Sequence, residues 1–217
     1  MKSGMIEKEG FAALVLRLRA QGVTDLDLLT AIEQTPRSQF VPPQFVTDAY
    51  SSRTIPIECG SFMEGADLAA RLLAQLHVKP GHRVLDIGTG SGFTAAVMGR
   101  IAERVLSLER FRTLVKAAQG RLEALGMRNV IIRQADGSNG LQGEGTFDRI
   151  LVTAAFDAIP RFYAEQLVHG GSMIAPLMTG EDRCMMIRLT KVGSRFERED
   201  LFPAPYLPLV SHIAVHL

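Results

Sequence analysis

The stretch that decides the fold is RVLDIGTGSGFTAAVMGRIAERVLSLER, residues 83–110. An apolar run is followed by a turn in which Gly88, Gly90 and Gly92 alternate with small polar residues. An amphipathic stretch and a second apolar run come next, and the second run ends at Glu109. This order predicts a strand, a glycine-rich turn, a helix and a second strand. Strands connected through a helix run parallel, in a sheet that is covered on both faces.

The same alternation continues on both sides of this stretch. Helices are predicted over 66–78, 93–102, 112–126 and 159–170, and strands over 83–88, 104–109, 129–136, 147–155, 171–177 and 184–192. The last two strands are joined by a short turn, so they should pair antiparallel at one edge. The charged run RFERED, residues 195–200, is predicted to be a solvated turn. The predicted fold class is therefore α/β, with a doubly wound, mostly parallel Rossmann-like sheet, an antiparallel edge and an N-terminal helical extension.

The N-terminal part has a different pattern. Two helices are predicted, the first ending at Gly22 and the second beginning after an N-cap at Thr24 and ending before Pro36. Residues 37–62 contain prolines, aromatic residues and hydroxyls without a clean period, which is typical of an ordered lid or a substrate-facing wall. We expect two parts: 1–64, the N-terminal helices and lid, and 65–217, the ligand-binding Rossmann-like domain with the C-terminal strands.

Composition excludes several classes of protein. The net charge is +1, so no basic excess indicates nucleic-acid binding. Two cysteines are too few for a disulfide framework or a zinc cluster, and the histidines have no metal-site spacing. No stretch reads as a signal peptide or a membrane span. We expect a cytoplasmic protein that binds no metal, nucleic acid or membrane.

The acidic residues around the glycine turn indicate its ligand. The spacing is G-x-G-x-G rather than the G-x-G-x-x-G of dinucleotide enzymes, and Asp86 directly precedes the turn. A carboxylate there would repel a pyrophosphate but could accept a hydrogen bond from a ligand ammonium group, directly or through water. Glu109 ends the second strand, where an acidic residue can bind both ribose hydroxyls. Asp136 and Gly137 end the third strand, where the carboxylate can reach an adenine edge.

A ligand with a ribose, an adenine and an amino group but no phosphate is S-adenosylmethionine, which we predict as the cofactor. The predicted cofactor residues are Gly60, Asp86, Gly88, Thr89, Gly90, Gly92, Glu109, Asp136 and Gly137. Two alternatives remain open for single residues: Asp86 could cap its own loop, and Glu109 could be a solvated strand end. A nicotinamide dehydrogenase is disfavoured by Asp86 and by the glycine spacing.

Five stretches resemble the protein-L-isoaspartate O-methyltransferase family, which belongs to the class I S-adenosylmethionine-dependent methyltransferases. They are FVPPQFVTDAYSSRTIPI (40–57), VLDIGTGSGFTAAV (84–97), QADG (134–137), FDRILVTAA (147–155) and LVHGGSMIAPL (167–177). The resemblance extends from about Ala12 to YLPLV at 206–210. It implies methyl transfer to the α-carboxylate of L-isoaspartyl residues in damaged proteins, followed by cyclisation of the ester to a succinimide that partly reopens to aspartate. It implies protein repair by an enzyme that we expect to be a monomer.

The chain departs from the family in one loop. Where the family usually reads close to G-x-G-Q-T-I-S-x-P, this chain reads ECGSFMEGA, residues 58–66. Ser61 stands at the glutamine position, and Glu64 stands at the position of a serine that lies beside cofactor and substrate. A carboxylate there could attract a sulfonium but would repel a carboxylate substrate. We predict Ser61, Thr153 and Glu64 as the catalytic residues.

Several alternatives stay open. Thr153 could be an ordinary strand residue, and Ser61 could likewise have no role in the site. Tyr50 and Tyr206 could line the lid or be buried wall residues. The altered loop also leaves open a methyltransferase with another acceptor, a catalytically weak S-adenosylmethionine-binding protein, or a module that binds proteins without catalysis.

Overall fold

The computed structural model describes residues 2–141, 143–180 and 183–214. Its helices are α1 (Lys2–Ala20), α2 (Leu26–Glu33), α3 (Ala66–Leu76), α4 (Phe93–Ile101), α5 (Arg112–Ala124) and α6 (Tyr163–Gln166). Its strands are β1 (Ile55–Pro56), β2 (Phe62–Met63), β3 (Arg83–Ile87), β4 (Arg104–Glu109), β5 (Val130–Gln134), β6 (Phe147–Val152), β7 (Leu167–Gly180), β8 (Arg183–Val192) and β9 (Arg195–Pro203). Within these described ranges, no helix combines the length and the apolar character needed to cross a bilayer.

The main sheet has seven strands in the order β5-β4-β3-β6-β7-β8-β9. The pairs from β5 through β7 are parallel, and β8 and β9 add antiparallel pairs at one edge. Chain order reverses next to β3, which pairs with β4 on one side and β6 on the other, so the switch point lies at its carboxyl end. The predicted fold class is confirmed.

Both faces of the sheet are buried. Val84 and Val105 join a cluster that includes residues of α3, α4 and α5. Leu85, Leu106 and Tyr163 belong to a second cluster on the opposite face. Strands that are buried on both faces read as nearly continuous apolar runs, which is why these parallel strands could be predicted.

The N-terminal helices pack against the sheet domain. Residues of α1 and α2 share one hydrophobic cluster with α3 and α4. Arg17 on α1 donates from Nε and Nη2 to the two oxygens of Asp67 on α3, both at 2.9 Å. This ion pair crosses the predicted division between 1–64 and 65–217, which stays a prediction. The N-cap of α2 is Asp25, whose carboxylate accepts from two backbone N–H groups, so the prediction of Thr24 was wrong by one residue.

Two predictions in the C-terminal half were wrong. Helix α6 is only four residues long, because Leu167 already pairs with Phe147 in the sheet and 167–170 belong to β7 rather than to a helix. Residues 195–200 form part of β9 instead of a turn. Arg188 of β8 lies opposite Glu199 and forms an ion pair with it at 2.6 Å. The alternating charges that suggested a solvated turn are typical of an edge strand.

Candidate active site

One cavity of about 410 Å³ lies at the carboxyl ends of β3, β4, β5 and β6. Its wall includes parts of three segments: the glycine turn (residues 88–92), the segment 58–64, which we call the acceptor loop, and the C-terminal segment (residues 204–214), of which residues 207–210 line the cavity. The predicted residues that line it are Gly60, Ser61, Glu64, Gly88, Thr89, Gly90, Glu109, Gly137 and Thr153. Asp86, Gly92 and Asp136 lie outside this lining.

The glycine turn brings bare backbone to the cavity wall. Gly88, Gly90 and Gly92 have φ values of 99°, 52° and 88°, a region that other residues rarely adopt. A Cβ on Gly88 would lie 2.5 Å from Thr153 Oγ1, which is too close for any side chain. Gly92 caps the N-terminus of α4 and packs against Ala118 instead of facing the cavity. The turn can therefore take a ligand against its backbone at Gly88 and Gly90.

Glu109 is the buried carboxylate of the cavity wall. Its side chain ends β4, the residue is 6% exposed, and Oε2 accepts from the Gly90 N–H at 2.9 Å. Oε1 accepts from the Phe111 N–H at 3.1 Å. Each oxygen keeps a further lone pair that can accept from a ligand hydroxyl. The carboxylate is thus fixed in orientation, as ribose binding requires, and its contact with ribose stays a prediction.

Asp86 lies beneath the turn rather than in the cavity wall. It is fully buried, and Oδ2 accepts from Ser107 Oγ at 2.6 Å because the two residues are paired across β3 and β4. Thr89 Oγ1 lies 2.5 Å from the same Ser107 oxygen. Among the described residues, Asp86 Oδ1 has no hydrogen-bond partner. Burial raises the pKa of Asp86 to about 7, although the Ser107 bond acts in the opposite direction. The predicted hydrogen bond to a ligand ammonium group stays a prediction.

Asp136 holds the C-terminal segment. Its Oδ1 accepts from the Ser138 N–H at 2.8 Å and its Oδ2 from the His212 N–H at 2.7 Å. Burial alone would raise the pKa of Asp136, but these hydrogen bonds outweigh it and the pKa lies below the usual range. A contact of this carboxylate with adenine stays a prediction. Gly137, the next residue, does line the cavity, and a Cβ there would lie 2.3 Å from Ile87 Cγ2.

The acceptor loop turns tightly around Cys59 and Gly60. Both residues have positive φ values, 62° and 67°, and the Ile57 N–H donates to the Ser61 carbonyl at 2.9 Å. Within the part of the chain that the structure describes, no hydrogen bond engages Ser61 Oγ. Ser61 therefore presents a hydroxyl that is free to donate into the cavity.

Glu64 is held from two directions. Tyr206 donates its hydroxyl to Glu64 Oε1 at 2.9 Å, and Arg37 Nη2 donates to the Glu64 carbonyl. Arg37 is fully buried, donates from Nε to the Ala49 carbonyl at 2.7 Å and lies over the Phe93 ring at 4.4 Å. Burial lowers the pKa of Arg37 to about 10, so it stays charged at neutral pH. The loop is fastened to α4 by a cation.

Thr153 faces the cavity at the end of β6. Its hydroxyl donates to the Gly88 carbonyl at 2.9 Å, which occupies its only proton. It can accept a hydrogen bond from a ligand while this bond lasts, but it cannot donate one. Of the two predicted hydroxyls, Ser61 is therefore the free donor.

Sequence reasoning missed two parts of the wall. Phe111 follows Glu109 closely, and residues 207–210 cross the carboxyl ends of the strands. The Ala155 N–H donates to the Leu207 carbonyl at 2.8 Å, and the Leu209 N–H donates to the Ala155 carbonyl at 2.7 Å. In the sequence, YLPLV marks the end of the family resemblance and contains the candidate lid residue Tyr206, but no local pattern places this stretch over the sheet.

The charges of the cavity fit the predicted cofactor. Among its described lining residues, the charged side chains are Glu64, Glu109 and one guanidinium, that of Arg110. Arg110 Nε donates to the His212 carbonyl at 3.2 Å, which directs it toward the C-terminal segment. Two carboxylates beside bare glycine backbone suit a cationic nucleoside better than a pyrophosphate. S-adenosylmethionine therefore fits the groups that are present.

Comparison with known proteins decides the family. The family model for Protein-L-isoaspartate(D-aspartate) O-methyltransferase (PCMT) matches residues 9–214. The chain belongs to this methyltransferase family. A protein-L-isoaspartate O-methyltransferase of Rhizobium meliloti (strain 1021) is 59% identical over 204 residues, which are 94% of this chain and 100% of that relative. One from Parvibaculum lavamentivorans is 40% identical over 205 residues, 93% of this chain and 91% of the relative.

Solved structures agree with this fold. A Plasmodium falciparum chain named for the same methyltransferase, in complex with S-adenosyl-L-homocysteine, superposes with a TM-score of 0.80. It is 22% identical, and the match covers 91% of this chain and 97% of that one. A second protein-L-isoaspartate O-methyltransferase structure gives a TM-score of 0.82 at 26% identity, over 94% of this chain and 67% of the other. The family, the methyltransferase class and the S-adenosylmethionine cofactor predicted from the sequence are confirmed.

Proposed function

We propose that this protein methylates the α-carboxylate of L-isoaspartyl residues in damaged proteins, which is the first step of their repair. The observation that carries the proposal is the cavity of about 410 Å³, whose wall contains the glycine turn, Glu109 and the acceptor loop. Membership of the isoaspartyl methyltransferase family supports it. We expect the protein to act as a monomer in the cytoplasm, without nucleic acid or membrane.

The chain would hold the cofactor along the carboxyl ends of its central strands. Glu109 would accept from the ribose hydroxyls, since its two oxygens are oriented by backbone N–H groups. The backbone at Gly88 and Gly90, which lines the cavity, would lie along the amino-acid part. When bound, S-adenosylmethionine supplies an electrophilic methyl group on a positively charged sulfur. The acceptor loop forms another part of the same wall.

The reaction needs no strong base in the protein. A carboxylate acceptor has a reference pKa of about 4, so it is already ionised at neutral pH. The task of the chain is to align one carboxylate oxygen and to exclude water. The Ser61 hydroxyl is the free donor for this purpose. Thr153 instead holds the glycine turn in place through its bond to the Gly88 carbonyl.

Methyl transfer to a synthetic peptide tests the proposal. Two peptides of the same sequence, one with an L-isoaspartyl and one with an L-aspartyl residue, are incubated with the protein and tritiated S-adenosylmethionine. We expect base-labile radioactivity in the isoaspartyl peptide and background in its twin. Background in both would reject this acceptor.

Glu64 favours a second candidate, a methyltransferase whose acceptor carries no negative charge. Its carboxylate lines the cavity and would oppose a carboxylate substrate. The substitution Glu64→Ser separates the two candidates. If the isoaspartyl peptide is a poor substrate only because of this charge, the variant should methylate it faster. Methylation of other lysate components, with the peptide inert in both proteins, would favour the second candidate.

A further inference from the structure

The hydrogen bond between Tyr206 and Glu64 joins two parts of the wall that are 142 residues apart in sequence. Glu64 lines the cavity, whereas Tyr206 lies behind it and is 7% exposed. The bond runs from the Tyr206 hydroxyl to Oε1, and the described residues provide no partner for Oε2. One carboxylate oxygen is therefore fixed by the protein, and the other remains available toward a ligand.

Both partners of this bond are held by their surroundings. The Glu64 backbone is fastened by Arg37, as described above. The Tyr206 ring lies 6.4 Å from the Phe62 ring, and the Tyr206 carbonyl accepts from Cys184 Sγ at 3.4 Å. Neither end of the bond can move far without disturbing packed neighbours. The carboxylate thus has a defined place in the wall.

The hydroxyl remains a donor under ordinary conditions. Burial, together with the negative charge of Glu64, raises the pKa of Tyr206 well above that of a free tyrosine. A protonated phenol that donates to a carboxylate stabilises the negative charge where it stands. The bond therefore fixes a charge as well as a side chain.

We propose that Tyr206 is a specificity-determining positioning residue, which holds the Glu64 carboxylate so that the cavity prefers the cationic sulfonium of S-adenosylmethionine to the neutral thioether of S-adenosylhomocysteine. This inference rests on the proposed function, because it needs the cofactor in this cavity. A carboxylate fixed in the wall lowers the free energy of a cationic ligand relative to a neutral one of the same shape. A carboxylate that can rotate toward solvent is screened and loses much of this preference. The pair would favour binding of the cofactor and release of the product.

Titration calorimetry with both compounds measures the preference directly, without any acceptor. The proteins are the unaltered chain, Tyr206→Phe, Glu64→Gln and the double variant. We expect Glu64→Gln to lower the ratio of the two affinities roughly tenfold, as for removal of one partly screened charge. Tyr206→Phe should lower it roughly threefold to fivefold, since the carboxylate remains but is no longer held. In the double variant, Tyr206→Phe should not change the affinity ratio beyond the effect of Glu64→Gln.

Tyr50→Phe is the matched control. The Tyr50 hydroxyl also donates to a carboxylate, that of Glu7, at 2.5 Å, but neither residue lines the cavity. It should lower the thermal stability and leave the affinity ratio unchanged. An unchanged ratio in either Tyr206→Phe or Glu64→Gln would overturn the inference, as would an equal effect of Tyr206→Phe with and without Glu64. If Tyr206→Phe does not fold, an unchanged affinity ratio in Glu64→Gln is by itself enough to overturn the inference. Failure of the unaltered protein to bind either compound would instead overturn the proposed function, and this inference with it.

Discussion

Replacing Glu109 by glutamine should weaken cofactor binding by a calculable amount. The carboxylate accepts from the Gly90 and Phe111 N–H groups, and its remaining lone pairs face the cavity. An amide keeps the shape but turns one of the two acceptors into a donor. Because a hydrogen bond to a charged group contributes about 1.5–3 kcal/mol, the loss of one such bond to ribose should cost about the same amount. The dissociation constant should then rise roughly 10- to 150-fold.

Calorimetry with two ligands assigns this loss to ribose. S-adenosylhomocysteine is compared with its 2′-deoxy analogue in the unaltered protein and in Glu109→Gln. The missing hydroxyl should weaken binding strongly in the unaltered protein and much less in the variant, because the variant has already lost the acceptor. Glu103→Gln is the control, since Glu103 is exposed and lies before the opposite end of β4. Thermal unfolding without ligand measures how much stability the variant loses through its weakened hydrogen bonds with the Gly90 and Phe111 N–H groups.

Two results would refute this reasoning. One is an unchanged affinity of Glu109→Gln for S-adenosylhomocysteine. The other is an equal penalty for the deoxy analogue in both proteins, which would place the ribose elsewhere.

The remaining predictions concern stability and the glycine turn. Burial raises the pKa of Asp86 from 3.8 to about 7, so its contribution to stability is fully present below about pH 4 and is lost as the pH rises through 7. In urea unfolding between pH 4 and 8, the protein should therefore lose roughly 4 kcal/mol at most relative to Asp86→Asn. A difference between the two proteins that does not change with pH would contradict the raised pKa. Arg37→Met should cost about 2–4 kcal/mol of unfolding free energy because two carbonyls lose their donor, and a cost below 1 kcal/mol would show that the guanidinium is not needed. Gly88→Ala should reduce the affinity for S-adenosylmethionine at least tenfold, because the new Cβ meets Thr153 Oγ1. The control Gly81→Ala is also at positive φ but in open space, so it should lower the stability and leave the affinity unchanged. Equal affinities in the two variants would refute the role of the turn.

The sequence predicted those parts of the site that follow from local pattern. Gly88 and Gly90 stand in a turn between a buried strand and a helix, and Glu109 ends the next strand. Parallel strands bring such ends to one edge of the sheet, so the sequence pattern was enough to predict that these residues lie close together. The altered acceptor loop could also be recognised from the sequence, because the residues that differ from the family lie close together in one short segment.

What could not be predicted depends on register and on contacts between distant segments. The protein partner of Asp86 is one example: its pairing with Ser107 across β3 and β4 brings the Ser107 hydroxyl to Oδ2, while the contact of Asp86 with a ligand stays a prediction. The partners of Asp136 are another: its oxygens accept from backbone N–H groups, one of them in the C-terminal segment, and its contact with adenine stays a prediction. No periodicity indicates that Tyr206 reaches Glu64. These features require the folded chain.

The two wrong secondary-structure predictions in the C-terminal half came from tertiary pairing that outweighed local preference. Residues 167–170 continue a helix-like pattern, yet they begin β7, in which Leu167 pairs with Phe147 of β6 and the pairing with β8 starts at Ser172. Residues 195–200 carry the charges of a solvated turn, yet they pair with β8 as the last strand of the sheet. In both places the sheet supplies hydrogen bonds that an isolated segment lacks.

A crystal structure of this protein soaked with S-adenosylhomocysteine tests the central claim most directly. The account predicts that the ribose hydroxyls lie within hydrogen-bonding distance of Glu109 and that the homocysteine chain crosses the backbone of Gly88 and Gly90. A ligand found outside this cavity, or inside it with the ribose turned away from Glu109, would contradict the account.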